Sequence, residues 1–409
     1  MLKRLALITA VSLTLLGAGA AHPQRPPQGQ PQRPVDPLGG AFGVTEAAMP
    51  PAEAARQVEM MAAALASLPP QRPGVVDTYI LSVSFWNDPV FEAEAKEAAA
   101  ILARRYDAPD RTIVLSAGRG GGAVRTYPAA TPNNFQAALG KIGATIDPAE
   151  DLVIVFMTSH GGPDGTVALQ EKDRMGGGLR VLPLRASLQQ AGIRNKVVIV
   201  SACFSGHFIA PFISDPGAIV LTAAAADKTS FGCEPSRDWT YFGDALFNHA
   251  LRGGAPLMEA YDDALKLITV WENGLRAKWD ALTAAQKTQS PEPLPSNPQS
   301  NIGDLIEPLI MKAELYGIAI NCAGHLTFAL DRAKTARPLK GLGDVQALQT
   351  ARTAAEARAS TEGLARKRSQ PETARAIAAS AASVLQMFNA QPADVTSRAA
   401  RCAAPANAG

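Results

Sequence analysis

Cysteine is scarce in this chain: Cys203, Cys233, Cys322 and Cys402 are all that occur in 409 residues. So few cysteines in so long a chain exclude a disulfide scaffold. Cys322 and Cys402 both fall in the carboxyl-terminal part and are candidates to pair. Sequence does not fix whether their Cα atoms come close enough. An excess of charge of one sign is also lacking. The formal net charge is +2, which points neither to nucleic acid nor to an acidic partner. The amino-terminal apolar stretch, Leu5 to Leu16, falls short of the roughly 20 residues that span a bilayer.

Three motifs are incomplete. Cys203 and His207, with Asp164 or His160, form a conceivable zinc set, but no second Cys/His pair at close spacing accompanies them. No metal or cofactor is therefore expected. Ser205 lacks the preceding glycine of a nucleophile elbow, which argues against a serine hydrolase. Gly118-Arg119-Gly120-Gly121-Gly122 lacks the Lys-Ser/Thr that completes a phosphate loop, so it reads as a flexible turn.

The amino terminus has the pattern of a secretory signal over residues 1–21. Lys3 and Arg4 come first, then the apolar stretch, then Gly17-Ala18-Gly19-Ala20-Ala21 as a small-residue cleavage site. No cysteine follows for lipidation. The expectation is export, to a periplasmic or secreted location, with no stable membrane insertion after signal removal. A free Cys203 in an oxidising compartment is a liability without a use, which favours a functional thiol.

Residues 22–74 read as a Pro/Gln-rich linker followed by one Ala-rich helix within Thr45–Leu68, ended by Pro69-Pro70. From about Val75, strands and helices alternate. Strands are expected at Tyr79–Phe85, Thr112–Leu115, the run ending near His160, the run ending at Ala202, and Ala218–Thr222. Helices are expected at Phe91–Tyr106, at Pro132–Ile142 with Thr131 as N-cap, at Leu184–Ala191 and at Tyr241–Leu251. This alternation gives an α/β fold with a mostly parallel sheet covered on both faces. Glu292–Asn301 reads as a loop. The domain reading is 75–308 for the sheet-bearing unit and 309–409 for a helical carboxyl-terminal extension. The arginines scattered between Ala351 and Ala390, Arg366 and Arg368 among them, read as solvated helix faces; a basic docking surface is the lesser alternative.

Two apolar runs carry the chemistry. Leu152–Met157 leads through Thr158-Ser159 into His160-Gly161-Gly162, and Val197–Val200 leads through Ser201-Ala202 into Cys203. Parallel strands deliver both to the carboxyl-terminal sheet edge, where open α/β folds hold their chemistry. A thiol beside an imidazole reads as a cysteine nucleophile with its base. The backbone N–H groups of Gly161 and Cys203 are candidates for an oxyanion hole, and Gly162 and Gly165 are expected to keep the following loop open. His207, four residues after Cys203, is a rival base expected to sit off the attack line.

These residues resemble the caspase and legumain-type cysteine peptidases, whose catalytic residues follow two hydrophobic strands as His-Gly and Ala-Cys. Ser159-His160-Gly161 and Ser201-Ala202-Cys203 carry that pattern. The legumain branch is the closer match. Ser205-Gly206, Thr131-Pro132-Asn133-Asn134-Phe135, Thr222-Ala223-Ala224, Thr229-Ser230-Phe231-Gly232-Cys233 and Thr240-Tyr241-Phe242-Gly243-Asp244 are similar to motifs there. The resemblance covers roughly Val75 to Leu251. It implies a caspase-like α/β/α sandwich and peptide-bond hydrolysis through a thioester. It also implies a pocket partly walled by Ala226–Ser230, with Thr229 and Ser230 contacting substrate. The residue that orients the histidine falls at Asn87 or Asp88.

The departures are informative. Phe204 stands where legumains have Glu, and Val90-Phe91 where they have Arg-His. An asparagine side chain would lose its hydrogen-bond partners there, so asparagine specificity is not carried over. Glu234 or Asp238 is positioned to place a negative charge in the pocket and favour a basic residue. Cys233 reads as packing. The function expected is a cysteine endopeptidase acting on protein or peptide substrates, with Cys203 as nucleophile and His160 as base. The alternatives are a catalytically silent binding protein of the same fold, or a transpeptidase or ligase using the same thioester.

Overall fold

A computed structural model describes residues 45–47, 49–120, 123–171, 174–335 and 338–404. The expected signal segment, residues 22–44 of the linker, and Gly121 and Gly122 lie outside the described residues. The chain begins with β1 (Thr45–Glu46) and α1 (Pro51–Ala66), then β2 (Thr78–Ser84), α2 (Pro89–Arg105), β3 (Thr112–Ser116), α3 (Pro132–Gly143) and β4 (Leu152–Thr158). A hairpin of β5 (Val167–Glu171) and β6 (Met175–Leu179) follows, then α4 (Val181–Gln190), β7 (Lys196–Ser201) and β8 (Ala218–Thr222). A short α5 (Tyr241–Gly243) runs into a π-helical stretch, Asp244–Ala250. Next come α6 (Leu257–Asp280), α7 (Ala284–Lys287) and β9 (Gln299–Ile302). Four helices close the chain: α8 (Glu307–Lys334), α9 (Val345–Ala365), α10 (Gln370–Ala390) and α11 (Pro392–Ala403).

The central sheet has the order β3-β2-β4-β7-β8-β9, with every pair parallel except β8–β9. Strands β2, β4, β7 and β8 are buried along their whole length, and their largely apolar, β-branched composition suits a sheet covered on both faces. Alternate side chains feed two cores. Leu81, Val83, Val155, Val198 and Val200 pack with Phe135, Leu139, Leu184 and Leu188 of α3 and α4 on one face. Ile80, Ile154, Phe156, Ile199 and Leu221 pack with Ile101, Leu102, Phe247 and Tyr261 from α2, the π-helical stretch and α6 on the other. This is an α/β/α sandwich with a mostly parallel sheet, plus carboxyl-terminal helices. Thr131 caps α3 as expected, its side chain accepting from the Asn134 N–H at 3.1 Å.

Ile310 and Ala313 of α8 belong to the second core, so this helix begins under the sheet. Its crossing of α2 is tight: a Cβ on Gly317 would lie 1.8 Å from the Arg105 carbonyl oxygen. Arg105, fully buried, pairs there with Glu314 at 2.8 Å. The far half of α8 packs with α9, α10 and α11 around Leu326, Leu330, Leu348, Val384 and Val395. The Cys322–Cys402 disulfide joins α8 to α11 with a Cα–Cα distance of 5.2 Å.

The structure departs from the sequence reading in four places and agrees with it in the first helix. The helix expected within Thr45–Leu68 is α1, Pro51–Ala66, which starts at Pro51 because Pro at the first helical position bars its predecessor from the α region. The stretch after His160 is not an open loop: Gly162 and Gly165 make a tight turn, closed by Gly165 N–H to Gly162 O at 2.9 Å, leading into β5–β6. Residues Gln299–Asn301, read as loop, lie in β9, whose exposed polar side chains suit an edge strand held by backbone pairing. The helix expected at Tyr241–Leu251 is mostly π-helical. Arg366 and Arg368 are not solvated. Arg366 is buried and donates to Val76 O and Tyr106 O, and both guanidiniums pair with Asp107.

Candidate active site

Strands β4 and β7 pair with Thr158 opposite Ser201, so His160 and Cys203 each lie two residues past a matched register position. The Ser159 N–H donates to Ser201 O at 3.1 Å and keeps the two exits together. Beyond them the Gly161 backbone lies directly on Cys203. A Cβ on Gly161 would stand 1.9 Å from the Cys203 carbonyl oxygen and 2.8 Å from its carbonyl carbon. No other residue fits there without parting the strand ends.

The Cys203 sulfur is half-buried and accepts from the Ser230 N–H at 3.3 Å. Burial pushes the thiol above its ordinary range, while the N–H groups of Ser230, Cys203 and Gly161 pull the other way. The imidazole of His160 is shifted below 6.5 by burial, and the Asp88 carboxylate opposes that shift. At neutral pH Cys203 therefore rests as a thiol and His160 as a neutral imidazole.

His160 is held on three sides. Its Nε2 lies 3.8 Å from the Asp88 carboxylate. Trp86 and Phe91 meet its ring edge-on, at centroid distances of 4.8 Å and 5.0 Å. Asp88 is the N-cap of α2 and Phe91 sits in the first turn of that helix, so one helix start supplies both contacts. The β5–β6 hairpin supplies the third: the Gln170 N–H donates to Phe85 O at 2.8 Å and fixes the segment bearing Trp86. Asn87 is placed elsewhere. It is buried under the Gly118–Gly120 turn, with its carbonyl 3.0 Å from where a Gly120 Cβ would be. Of the two candidate orienting residues, only Asp88 faces the imidazole.

Phe204 adopts the left-handed conformation, φ 57° and ψ 16°, directly after Cys203. That is an unusual conformation for an aromatic residue, costing about 1–2 kcal/mol. Its N–H donates to Lys228 O at 2.7 Å, which draws the segment before Ser230 against the cysteine turn. Thr229 is exposed beside it. Glu234 is exposed, and its charge helps push the Cys233 thiol up, after burial and together with Cys203 and Asp88. Of these residues Ser230 contacts the Cys203 sulfur, while Glu234 and Asp88 bear on the neighbouring Cys233 thiol. Asp238 does not join them: it lines a separate cavity of about 590 Å³ with Glu92, Arg119, Tyr127, Trp239 and Arg252. His207 lies apart from the pair, its Nε2 3.2 Å from Pro163 O under Gly165. Ser205 is buried and accepts from the Ala224 N–H at 3.1 Å, a structural role.

Sequence reasoning missed Trp86 and Glu94, and took Phe91 only as a lost polar group. Asp88, Phe91 and Glu94 recur at helical spacing after the Pro89 helix start, the one signal that could have grouped them. No helix among the described residues is long and apolar enough to cross a membrane.

Residues 128–266 match the Peptidase C13 family, a segment that contains both His160 and Cys203. The match supports a cysteine peptidase-type function and agrees with the legumain-like motifs. Among solved structures, the chain is similar to caspase-1 from Spodoptera frugiperda, with 11% identity over 55% of this chain and 85% of that chain and a TM-score of 0.35. No curated protein sequence matches the chain.

Proposed function

We propose, from the Peptidase C13 match across the two strand ends, that the protein is a cysteine endopeptidase with Cys203 as nucleophile and His160 as general base. The observation that carries this reading is the packing of Gly161 on the Cys203 backbone, beside an imidazole backed by Asp88. With Nε2 on the Asp88 side, Nδ1 is the nitrogen left for the thiol. His160 takes the thiol proton as the sulfur attacks the scissile carbonyl carbon. The Gly161 and Cys203 N–H groups hold the oxyanion. The imidazolium then gives its proton to the departing amine and a thioester remains. Water, deprotonated by the same imidazole, attacks the thioester, releases the carboxylic acid and restores the thiol. Asp88 stabilises the imidazolium at each stage.

The pocket on the Ser230 side favours a basic residue before the cut. Asp88 and Glu234 both act on Cys233 beside the nucleophile, so negative charge is concentrated there. Glu234, rather than Asp238, is the selecting group. Export to an oxidising compartment fits the Cys322–Cys402 disulfide and the basic–apolar–small amino terminus.

The test is cleavage of a peptide library by the purified protein, with Cys203→Ala as control. Cleavage lost in the variant, and after Lys or Arg in the wild type, is the expected result. Unchanged cleavage by Cys203→Ala would overturn the assignment. Wild-type protein that cleaves nothing, with an unreactive Cys203, would favour a silent binding protein.

A further inference from the structure

Glu94 of α2 is fully buried, and it sits under the site rather than in it. Its Oε2 accepts from the Thr158 hydroxyl, at the end of β4. Its Oε1 accepts from Thr240 Oγ1 at 2.7 Å, and the single Ser201 hydroxyl proton, at the end of β7, is shared between Thr240 Oγ1 at 2.9 Å and this same Oε1 at 3.4 Å. Thr240 closes the segment that carries Ser230, Cys233 and Glu234, and it accepts from the Gly243 N–H at 3.0 Å. The fold makes room for this carboxyl: a Cβ on Gly243 would fall 1.6 Å from Glu94 Oε1. Burial pushes the carboxyl up to about 7 against its hydroxyl bonds. A group so costly to bury is retained only where its bonds hold something in place.

What it holds is the spacing of three functional segments. Thr158 is two residues before His160, Ser201 two before Cys203, and Thr240 ends the segment that starts at Ser230. The same helix presents Asp88 and Phe91 to the imidazole one to two turns earlier. We infer that Glu94 is a positioning residue, which fixes the relative placement of the His160 strand end, the Cys203 strand end and the Ser230–Thr240 segment through its bonds to Thr158 and Thr240 and the Ser201 hydroxyl that it shares with Thr240. The motif residues Thr240 and Gly243, to which the catalytic chemistry gives no task, receive one here. The turnover arm of the test rests on the peptidase reading; the labelling arm does not.

Four full-length variants test the inference: Glu94→Ala, Glu94→Gln, Thr158→Ala and Thr158→Ser. Each is compared with wild type for kcat and KM on a library-selected peptide. The pH–rate profile of Cys203 alkylation by iodoacetamide is also measured, read by mass spectrometry so that Cys233 is counted apart. Circular dichroism checks the fold. Glu94→Ala is expected to lose about 100-fold in kcat, as a misplacement of about 1 Å does, with a smaller change in KM. Its alkylation profile should shift, because the Ser230 and Gly161 N–H groups move relative to the sulfur. The isosteric Glu94→Gln should recover most of both. Thr158→Ala removes one bond and should lose about 10-fold, with Thr158→Ser restoring it; this pair decides the matter if Glu94→Ala does not fold. Folded Glu94→Ala, or Thr158→Ala, with wild-type kcat and an unshifted alkylation profile would overturn the inference. If the wild type cleaves no peptide, the peptidase reading fails, while the alkylation profiles still judge Glu94.

Discussion

Gly161→Ala is the sharpest perturbation of the site, because its consequence can be worked from distances. The new Cβ would meet the Cys203 carbonyl oxygen at 1.9 Å and its carbonyl carbon at 2.8 Å. The obstruction is backbone, so no side chain can rotate aside. The His160 exit and the Cys203 exit must part by about 1.5 Å to reach an ordinary contact, and a displacement of even about 1 Å can cost about 100-fold in rate. The same shift moves the Gly161 N–H off the developing oxyanion, and loss of one such donor costs about 10²–10³ in kcat. The two effects share one movement and do not multiply. The expected outcome is a loss of two to three orders of magnitude, or about 3–4 kcal/mol of transition-state stabilisation. Steady-state kinetics on a library-selected peptide would measure it, with circular dichroism to show that the sheet persists. The strands are buried on both faces below the exit, so the fold should survive. A folded Gly161→Ala enzyme with wild-type kcat/KM would refute the claim that this contact sets the site.

Four further outcomes are expected. The His160 imidazole is shifted below 6.5, so its base form is lost only as pH falls past that value, and the acid limb of kcat/KM should lie below pH 6.5; Asp88→Asn removes the charge that opposes the shift and should move the limb lower while cutting kcat about 10-fold. Glu234→Gln should leave hydrolysis in place but erase about 10-fold of any preference for Lys or Arg, read from paired library profiles; an unchanged preference would remove Glu234 from the pocket. Glu314→Ala leaves Arg105 buried and unpaired, and should cost about 3–5 kcal/mol in denaturant unfolding. Reducing Cys322–Cys402 reopens a loop of sequence separation 80 and should cost about 4 kcal/mol by loop entropy, seen as a lower denaturant midpoint with reductant that Cys322→Ser reproduces without it.

Much of this protein was written in hydrophobic period and turn chemistry. Buried β-branched runs announce their strands because nothing else can fill both faces of a parallel sheet. Thr131-Pro132 announces a helix start because Thr caps and Pro is already helical in φ. That the strand exits leading to His160 and Cys203 lie side by side followed from those runs alone, since parallel neighbours of matched length end at the same edge. What sequence could not decide was every relation carried by polar or small residues across distant segments. Strand β9 is polar because only its backbone pairs. The Gly-rich β6 carries no strand propensity, yet its hairpin fixes Trp86 on the imidazole. Asn87 and Asp88 are adjacent, and only the start of α2 turns one toward His160. Arg366 looked solvated until α8 and α9 carried it back to Asp107. Glu94 reads as an ordinary helix residue, and only the closing of α2 over the sheet sets its carboxyl among three hydroxyls. Local pattern fixes which face of an element is buried; tertiary packing alone fixes which buried groups meet.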